Sequence, residues 1–109
     1  MEVDVLSRGH GGIVEGVVRS VDGFRPGDIV YVGGLDLGRM YGIIPVAKLV
    51  FVESGGFLSH PAILGREYCV PVLRFSRARE LVGRWVRVDL DRGTLEVLDQ
   101  GEAGEDEEQ

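Results

Sequence analysis

One short segment combines the residue types of an anion-handling histidine site. Gly55 and Gly56 precede Ser59 and His60, and Arg66 follows six residues after the histidine. Histidine is commonly neutral near physiological pH, and a neutral imidazole can attack phosphorus. Glycine lets backbone approach a ligand closely, and hydroxyl and guanidinium groups can bind phosphate. The segment therefore favours a histidine that carries a phosphoryl group.

The same spacing predicts that His60 begins a helix. Ser59 is a typical N-cap residue, and Pro61 fits the first helical turn. Its missing N–H costs no hydrogen bond there, because N–H groups of the first turn have no partner within the helix. We expect this helix to continue to about Tyr68. Helix starts attract anions, because unpaired N–H groups and the positive end of the dipole meet there.

Spacing alone leaves two questions open about this segment. A histidine at this position can simply begin a helix without any chemical role. Arg66 lies about one and two-thirds turns beyond His60, so it is not directly above it on a straight helix. It can fold back toward a phosphate, or it can brace the helix through an acid such as Glu67 or Asp89.

The elements around the segment are mainly short strands. Valine- and isoleucine-rich runs alternate with many of the 17 glycines, which is typical of a strand-rich domain with tight turns. The fold class is therefore α+β, with one main helix near His60. Residues 48–52 are almost continuously apolar and predict a strand buried on both faces. Residues 35–42 fit a short helix or a loop. Strands are expected at 13–18, 28–32, 48–52, 72–75, 85–89 and 94–98, with a hairpin turn at 91–93.

Length and charge exclude several classes of protein. The chain of 109 residues fits one domain, and it has neither a membrane-length apolar run nor a signal-peptide pattern. With Cys69 as its single cysteine, it cannot form an internal disulfide, and we expect a cytoplasmic protein. Five of its acids lie in residues 100–109, leaving 13 acids against 12 bases in residues 1–99. We expect a domain at 1–99 and a disordered acidic tail at 100–109. This charge balance disfavours nucleic acid as a partner.

Residues 53–72 resemble the phosphohistidine signature of the PEP-utilising enzyme mobile domain. This is the swivelling domain of pyruvate phosphate dikinase, phosphoenolpyruvate synthase, PTS enzyme I and rifampin phosphotransferase. The shared pattern is a glycine pair, a hydroxyl residue before histidine, small and aliphatic residues, Arg-Glu and a later proline. Further similarity to this family lies in residues 12–16, 26–30 and 85–97.

The resemblance implies a swivelling three-layer β/β/α phosphohistidine domain. His60 would be the phosphorylated residue, with Gly55, Gly56 and Ser59 around the phosphate and Arg66 as the motif arginine. The chain departs from the family pattern at four positions. Pro61 replaces a small residue, Leu58 replaces a threonine found in some members, and Cys69 and Leu90 each replace a glycine.

The resemblance also implies that this chain works with other subunits. Relatives hold the mobile domain between an ATP-grasp domain and a PEP- or substrate-binding domain, and this sequence contains neither. We therefore expect a stand-alone phosphohistidine carrier, a phosphotransferase component that is not active alone. ATP or PEP would be bound by an ATP-grasp or PEP-binding partner, and this chain would bind no cofactor itself. The alternative is a swivelling small subunit or regulatory module that closes over a partner's active site and is never phosphorylated. Related swivelling folds serve as small subunits of dehydratase-type enzymes.

The remaining candidate residues favour structural roles. On one helix, Cys69 would lie about 13 Å from His60, too far for a nucleophile and its base. We expect Cys69 to be a small buried residue and Trp85 to belong to the core. The spacing of His10, His60 and Cys69 does not resemble a metal site. Two charged residues of the ambiguous 35–42 segment could share a face with His60 or lie on the surface. These are Asp36 and Arg39.

Overall fold

The computed structural model describes residues 1–98, which form a curled seven-stranded sheet and two α-helices. The predicted acidic tail, residues 100–109, lies outside the described residues. The α+β prediction is confirmed. The strands are β1 Asp4–Ser7, β2 Ile13–Arg19, β3 Ile29–Tyr31, β4 Leu49–Val52, β5 Val72–Arg74, β6 Trp85–Asp89 and β7 Thr94–Val97, and the helices are α1 Leu37–Ile43 and α2 His60–Tyr68.

The strand order is β1-β5-β4-β3-β2-β6-β7, with β2 to β5 parallel at the centre. Strand β2 belongs to both halves of the sheet, because Ile13–Val17 pair with β6 and Val18 and Arg19 pair with β3. The curled sheet nearly closes on itself. The Val3 N–H donates to the Gly93 carbonyl at 2.9 Å, which joins the segment before β1 to the start of β7.

Strand β4 is buried on both faces, as its apolar run predicts. Leu49 and Phe51 pack in one core with residues of β6 and β7. Val50 and Val52 point the other way, into a second core with residues of both helices. The helices therefore cover one face of the parallel strands, and the β2–β6–β7 part of the sheet covers the other. That the fold is a swivelling phosphohistidine domain stays a prediction.

Helix α2 packs closely on the sheet because Gly65 has no side chain. A Cβ atom at Gly65 would lie 2.8 Å from the Val70 carbonyl oxygen and 3.1 Å from the Ser7 Cβ. The helix ends at Tyr68, and the cap residue Cys69 has a left-handed φ of 58°. This conformation lets the N–H of Val70 donate back to the Gly65 carbonyl at 2.8 Å. The start of α2, and thus His60, is placed by this contact with β5 and β1.

Several sequence expectations need correction. Cys69 is exposed, because it caps the end of α2 instead of packing beneath it. Trp85 is 44% exposed, since it lies on the outer face of β6 while Val86 and Val88 fill the core. Strand β1 lies outside the strands expected from the sequence, and residues 35–42, whose sequence fits a helix or a loop, contain most of α1.

Within residues 1–98, no helix has the length and apolar character needed to cross a membrane.

Candidate functional site

His60 is exposed at the end of the sheet where the central parallel strands finish. It is the first residue of α2 and follows a loop, residues 53–59, that leaves the carboxyl end of β4. In sheets with parallel strands, ligands commonly bind near the carboxyl ends of the strands. The central strand β4 and the packing of α2 therefore bring the histidine to an edge suited to binding.

The residues predicted around the phosphate form one tight turn. Gly55 has a φ of +97°, and the Ser59 hydroxyl donates to the Gly56 carbonyl at 2.7 Å. Ser59 is the N-cap residue of α2, as predicted, but its hydroxyl makes no hydrogen bond to the helix and closes the turn instead. The Ser59 backbone carbonyl still accepts the Ile63 N–H at 2.9 Å. The structure therefore brings Gly55, Gly56 and Ser59 together directly before His60.

The first turn of α2 offers a limited set of backbone donors. Four N–H groups at a helix start ordinarily lack a partner within the helix, the N-cap's included. Pro61 has no N–H, so His60 and Ala62 are the residues of this turn whose N–H groups could face a ligand. An anion at this helix start would thus meet fewer donors than at one without proline.

Arg66 contacts both β1 and the loop that precedes α2. Its guanidinium donates to the Leu6 carbonyl at 3.0 Å and lies 3.7 Å above the ring of Phe57. Arg66 therefore braces the helix through the Leu6 carbonyl and the Phe57 ring, and not through Glu67 or Asp89, the acids considered from the sequence. Arg66 thereby links α2 to β1 and holds one side of the loop. Its contact with phosphate stays a prediction.

Arg74 holds the other side of the loop, and sequence reasoning missed it. Its guanidinium donates to the Gly55 carbonyl at 2.8 Å and to the Asp4 carboxylate at 3.1 and 2.9 Å. Arg74 ends β5 and lies opposite Asp4 in the antiparallel pair with β1. The pairing of these strands could not be read from the sequence, because β1 itself was not recognised.

A polar cluster that sequence reasoning also missed fixes the start of the loop. The Glu53 carboxylate accepts hydrogen bonds from the Tyr31 hydroxyl at 2.9 Å and from the Arg79 backbone N–H at 3.1 Å. The Arg79 N–H, and then the Tyr31 hydroxyl, lower the pKa of Glu53. A charged residue directly after a buried parallel strand is the signal that could have identified it.

The other sequence candidates have contacts outside this turn. The Asp36 carboxylate accepts the Arg39 N–H at 2.9 Å and caps the start of α1. Cys69 lies at the opposite end of α2 from His60. Among residues 1–98, no group of three His, Cys, Asp or Glu side chains could hold a metal ion.

Comparison with solved structures finds similar folds at low sequence identity. Thermococcus kodakaraensis aconitase X, in its holo-form, aligns with a TM-score of 0.64 and 19% identity, covering 89% of this chain and 96% of that chain. The solution NMR structure of a UPF0107 protein aligns with a TM-score of 0.62 and 16% identity, covering 90% and 98%. These similarities show the fold alone.

The N-terminal domain of Enzyme 1-Nitrogen, which is a PTS enzyme I, also has a similar fold. Its TM-score is 0.53 at 21% identity, with 72% of this chain and 34% of that chain covered. Over part of this chain, the resemblance seen in the sequence is thus matched by a similar fold in a solved structure. Comparison with protein-family profiles and with curated proteins finds no match.

Proposed function

We propose that this chain is a phosphohistidine carrier of the swivelling-domain type, phosphorylated on His60. The observation that carries the proposal is the position of this side chain. His60 is exposed at the start of α2, directly after the turn formed by Gly55, Gly56 and Ser59. A carrier histidine must reach a donor and an acceptor in turn, and an exposed ring at the sheet edge meets that requirement.

The reaction requires little beyond a nucleophile and charge stabilisation. A ring nitrogen of neutral His60 attacks the phosphorus, and a P–N bond forms as the P–O bond to the leaving group breaks. The leaving group is ADP when ATP is the donor and the enolate of pyruvate when PEP is the donor. The ring's other nitrogen keeps its proton until solvent accepts it. N–H groups at the start of α2 would stabilise the phosphoryl oxygens.

Under this proposal the donor and the acceptor are bound by other subunits. An ATP-grasp or PEP-binding protein would supply the phosphoryl group, and this chain would act as a phosphotransferase component. The fold similarity to the N-terminal domain of a PTS enzyme I supports this arrangement, although it extends over 34% of that chain.

Labelling with a matched histidine control tests the carrier proposal. The chain is incubated with labelled ATP or PEP and a candidate partner, and acid-labile, alkali-stable phosphate is measured. The chain has two histidines, so His10→Gln serves as the control for His60→Gln. We expect label on the wild type and on His10→Gln, and none on His60→Gln. Label that persists in His60→Gln, or no label with any partner, would contradict the proposal.

A second candidate is a small subunit that closes over a partner's active site without being phosphorylated. The observation that favours it is the similarity to aconitase X, which extends over 96% of that chain. Co-expression with a large dehydratase-type subunit tests this candidate. A stable complex whose activity requires this chain and survives His60→Gln would support it. Loss of that activity in His60→Gln, or failure to form a complex, would count against it.

A further inference from the structure

A cavity of about 410 Å³ lies beside the His60 loop, at the carboxyl ends of β3 and β4. This volume is in the range of pockets that hold small molecules. Its position follows the general rule for sheets with parallel strands, whose binding sites lie at the carboxyl edge. The cavity is thus a candidate site in addition to the histidine.

The cavity lining includes two neighbouring opposite charges, Glu53 and Arg79. Glu53 is held by the Tyr31 hydroxyl and the Arg79 backbone N–H, at 2.9 and 3.1 Å. The Arg79 guanidinium lies 3.8 Å from the Glu53 carboxylate, and its side chain is 76% exposed. The Arg79 guanidinium also interacts with the Tyr31 hydroxyl. Since Glu53 is held by the Arg79 backbone N–H, the guanidinium can turn toward a ligand without releasing Glu53.

The glycines after β3 make room for this arrangement. A Cβ atom at Gly33 would collide with the hydroxyl of Tyr31, which would displace it from Glu53. At Gly34, a Cβ atom would have no neighbour within 4 Å, so the backbone there borders open space. Glycine at position 33 therefore allows the Tyr31–Glu53 contact to form at the cavity wall.

The rest of the cavity wall is largely apolar. It includes the side chains of Val32, Leu35, Met40 and Val52. A ligand that contacts the whole lining would offer an anion to Arg79, a cation to Glu53 and a hydrocarbon group to this wall. A free aliphatic amino acid has all three, because its carboxylate and ammonium are separated by one carbon and its side chain is apolar.

We propose that this cavity binds a free aliphatic amino acid, with its carboxylate on Arg79 and its ammonium on Glu53. The binding is a recognition event with no covalent step, and it does not depend on phosphorylation of His60. Two-point recognition of this kind favours an amino acid over a simple carboxylic acid or a simple amine, because each of those makes only one of the two charged contacts.

Titration with L-leucine and its analogues, followed through the backbone amide signals of Gly33, Gly34 and Ser54, tests the proposal. L-Leucinamide lacks the carboxylate, 4-methylpentanoate lacks the ammonium, and glycine lacks the aliphatic group. We expect saturable shifts with L-leucine and binding at least about tenfold weaker for each analogue, equivalent to about 1.4 kcal/mol.

The protein offers a matched pair of arginine variants. Arg79→Gln removes the cation from the cavity but keeps the backbone N–H that holds Glu53. Arg77→Gln removes the same charge from a surface pair with Glu80 at 2.9 Å, outside the cavity. Arg79→Gln should raise the Kd of L-leucine at least about tenfold, and Arg77→Gln by less than about twofold.

Three outcomes would overturn the proposal. One is the absence of saturable shifts at millimolar L-leucine. Another is binding of leucinamide or 4-methylpentanoate as tightly as L-leucine. The third is an equal loss of affinity in both arginine variants, which would indicate a general charge effect.

Discussion

Replacing Gly65 with alanine should destabilise the protein, although alanine is the better helix former. Gly65 lies where α2 meets β5 and β1, and the added methyl group would collide with the Val72 side chain. It would also lie 2.8 Å from the Val70 carbonyl oxygen. The Val70 carbonyl cannot move cheaply, because the buried Ser7 hydroxyl donates to it at 2.9 Å. The helix must therefore shift away from the sheet.

Two opposing terms set the size of the effect. Overpacking a tight contact costs about 1–3 kcal/mol, and replacing glycine with alanine in a helix returns up to about 1 kcal/mol. The collision involves a β-branched side chain and a backbone atom, so we take the upper part of the overpacking range. The net loss in free energy of unfolding is then about 1–2 kcal/mol. For a domain of this size, that corresponds to a fall in Tm of roughly 4–16 °C.

The same substitution in α1 provides the control. Gly42 is an exposed residue of α1, and a Cβ atom there would have no neighbour within 4 Å. Gly42→Ala should therefore raise the free energy of unfolding by about 0.5–1 kcal/mol through helix propensity alone. Urea unfolding of both variants, with an unchanged m-value, measures the contrast.

The sign of the Gly65→Ala change decides the outcome. If it stabilised the protein as much as Gly42→Ala, α2 would not be packed on the sheet as described. The position of His60 would then rest on the wrong contact. A similar loss in both variants would instead mean that α1 is also tightly packed at Gly42.

Other variants test single contacts. Ser7→Ala removes the hydroxyl that donates to the Val70 carbonyl, and it should lower the free energy of unfolding by about 1–2 kcal/mol in urea unfolding; an unchanged stability would mean that another donor replaces it. Tyr31→Phe should raise the pKa of Glu53 toward its ordinary value in an NMR titration, only in part, because the Arg79 N–H remains. The lowered pKa stabilises the fold above the ordinary carboxyl range, and this contribution is lost as pH falls through the native pKa, so Tyr31→Phe should weaken that pH dependence. Under the carrier proposal, Pro61→Ala restores an N–H at the start of α2 and should raise the equilibrium ratio of phosphorylated to free protein about tenfold, measured with a fixed donor; no increase would mean that the phosphate does not contact this turn.

The sequence predicted elements whose signals are local. Ser59, with Pro61 two residues later, marked the start of α2, and the apolar run at residues 48–52 marked β4. The hairpin at residues 91–93 was equally clear, because alternating strands flank it.

Features that depend on distant pairing were not visible. The partners of Arg66 and Arg74 are a carbonyl of β1, the Phe57 ring, the Gly55 carbonyl and Asp4, and two of these lie about 60 to 70 residues away in sequence. The exposure of Cys69 has a different and local origin, the left-handed φ of 58° with which it caps α2. A non-glycine residue with positive φ is uncommon, and composition alone cannot predict it.

The electrostatics around His60 give a physical reason why a carrier would need its partner. A phosphoryl group on this ring would bring about two negative charges to the exposed edge of the sheet. The two arginines that hold the loop already donate to protein groups, Arg66 to Leu6 and Arg74 to Gly55 and Asp4. Pro61 removes one of the N–H donors of the first turn. Most of the charge compensation for phosphoryl transfer would then have to come from the partner's cations, and phosphorylation should be negligible until that partner is bound.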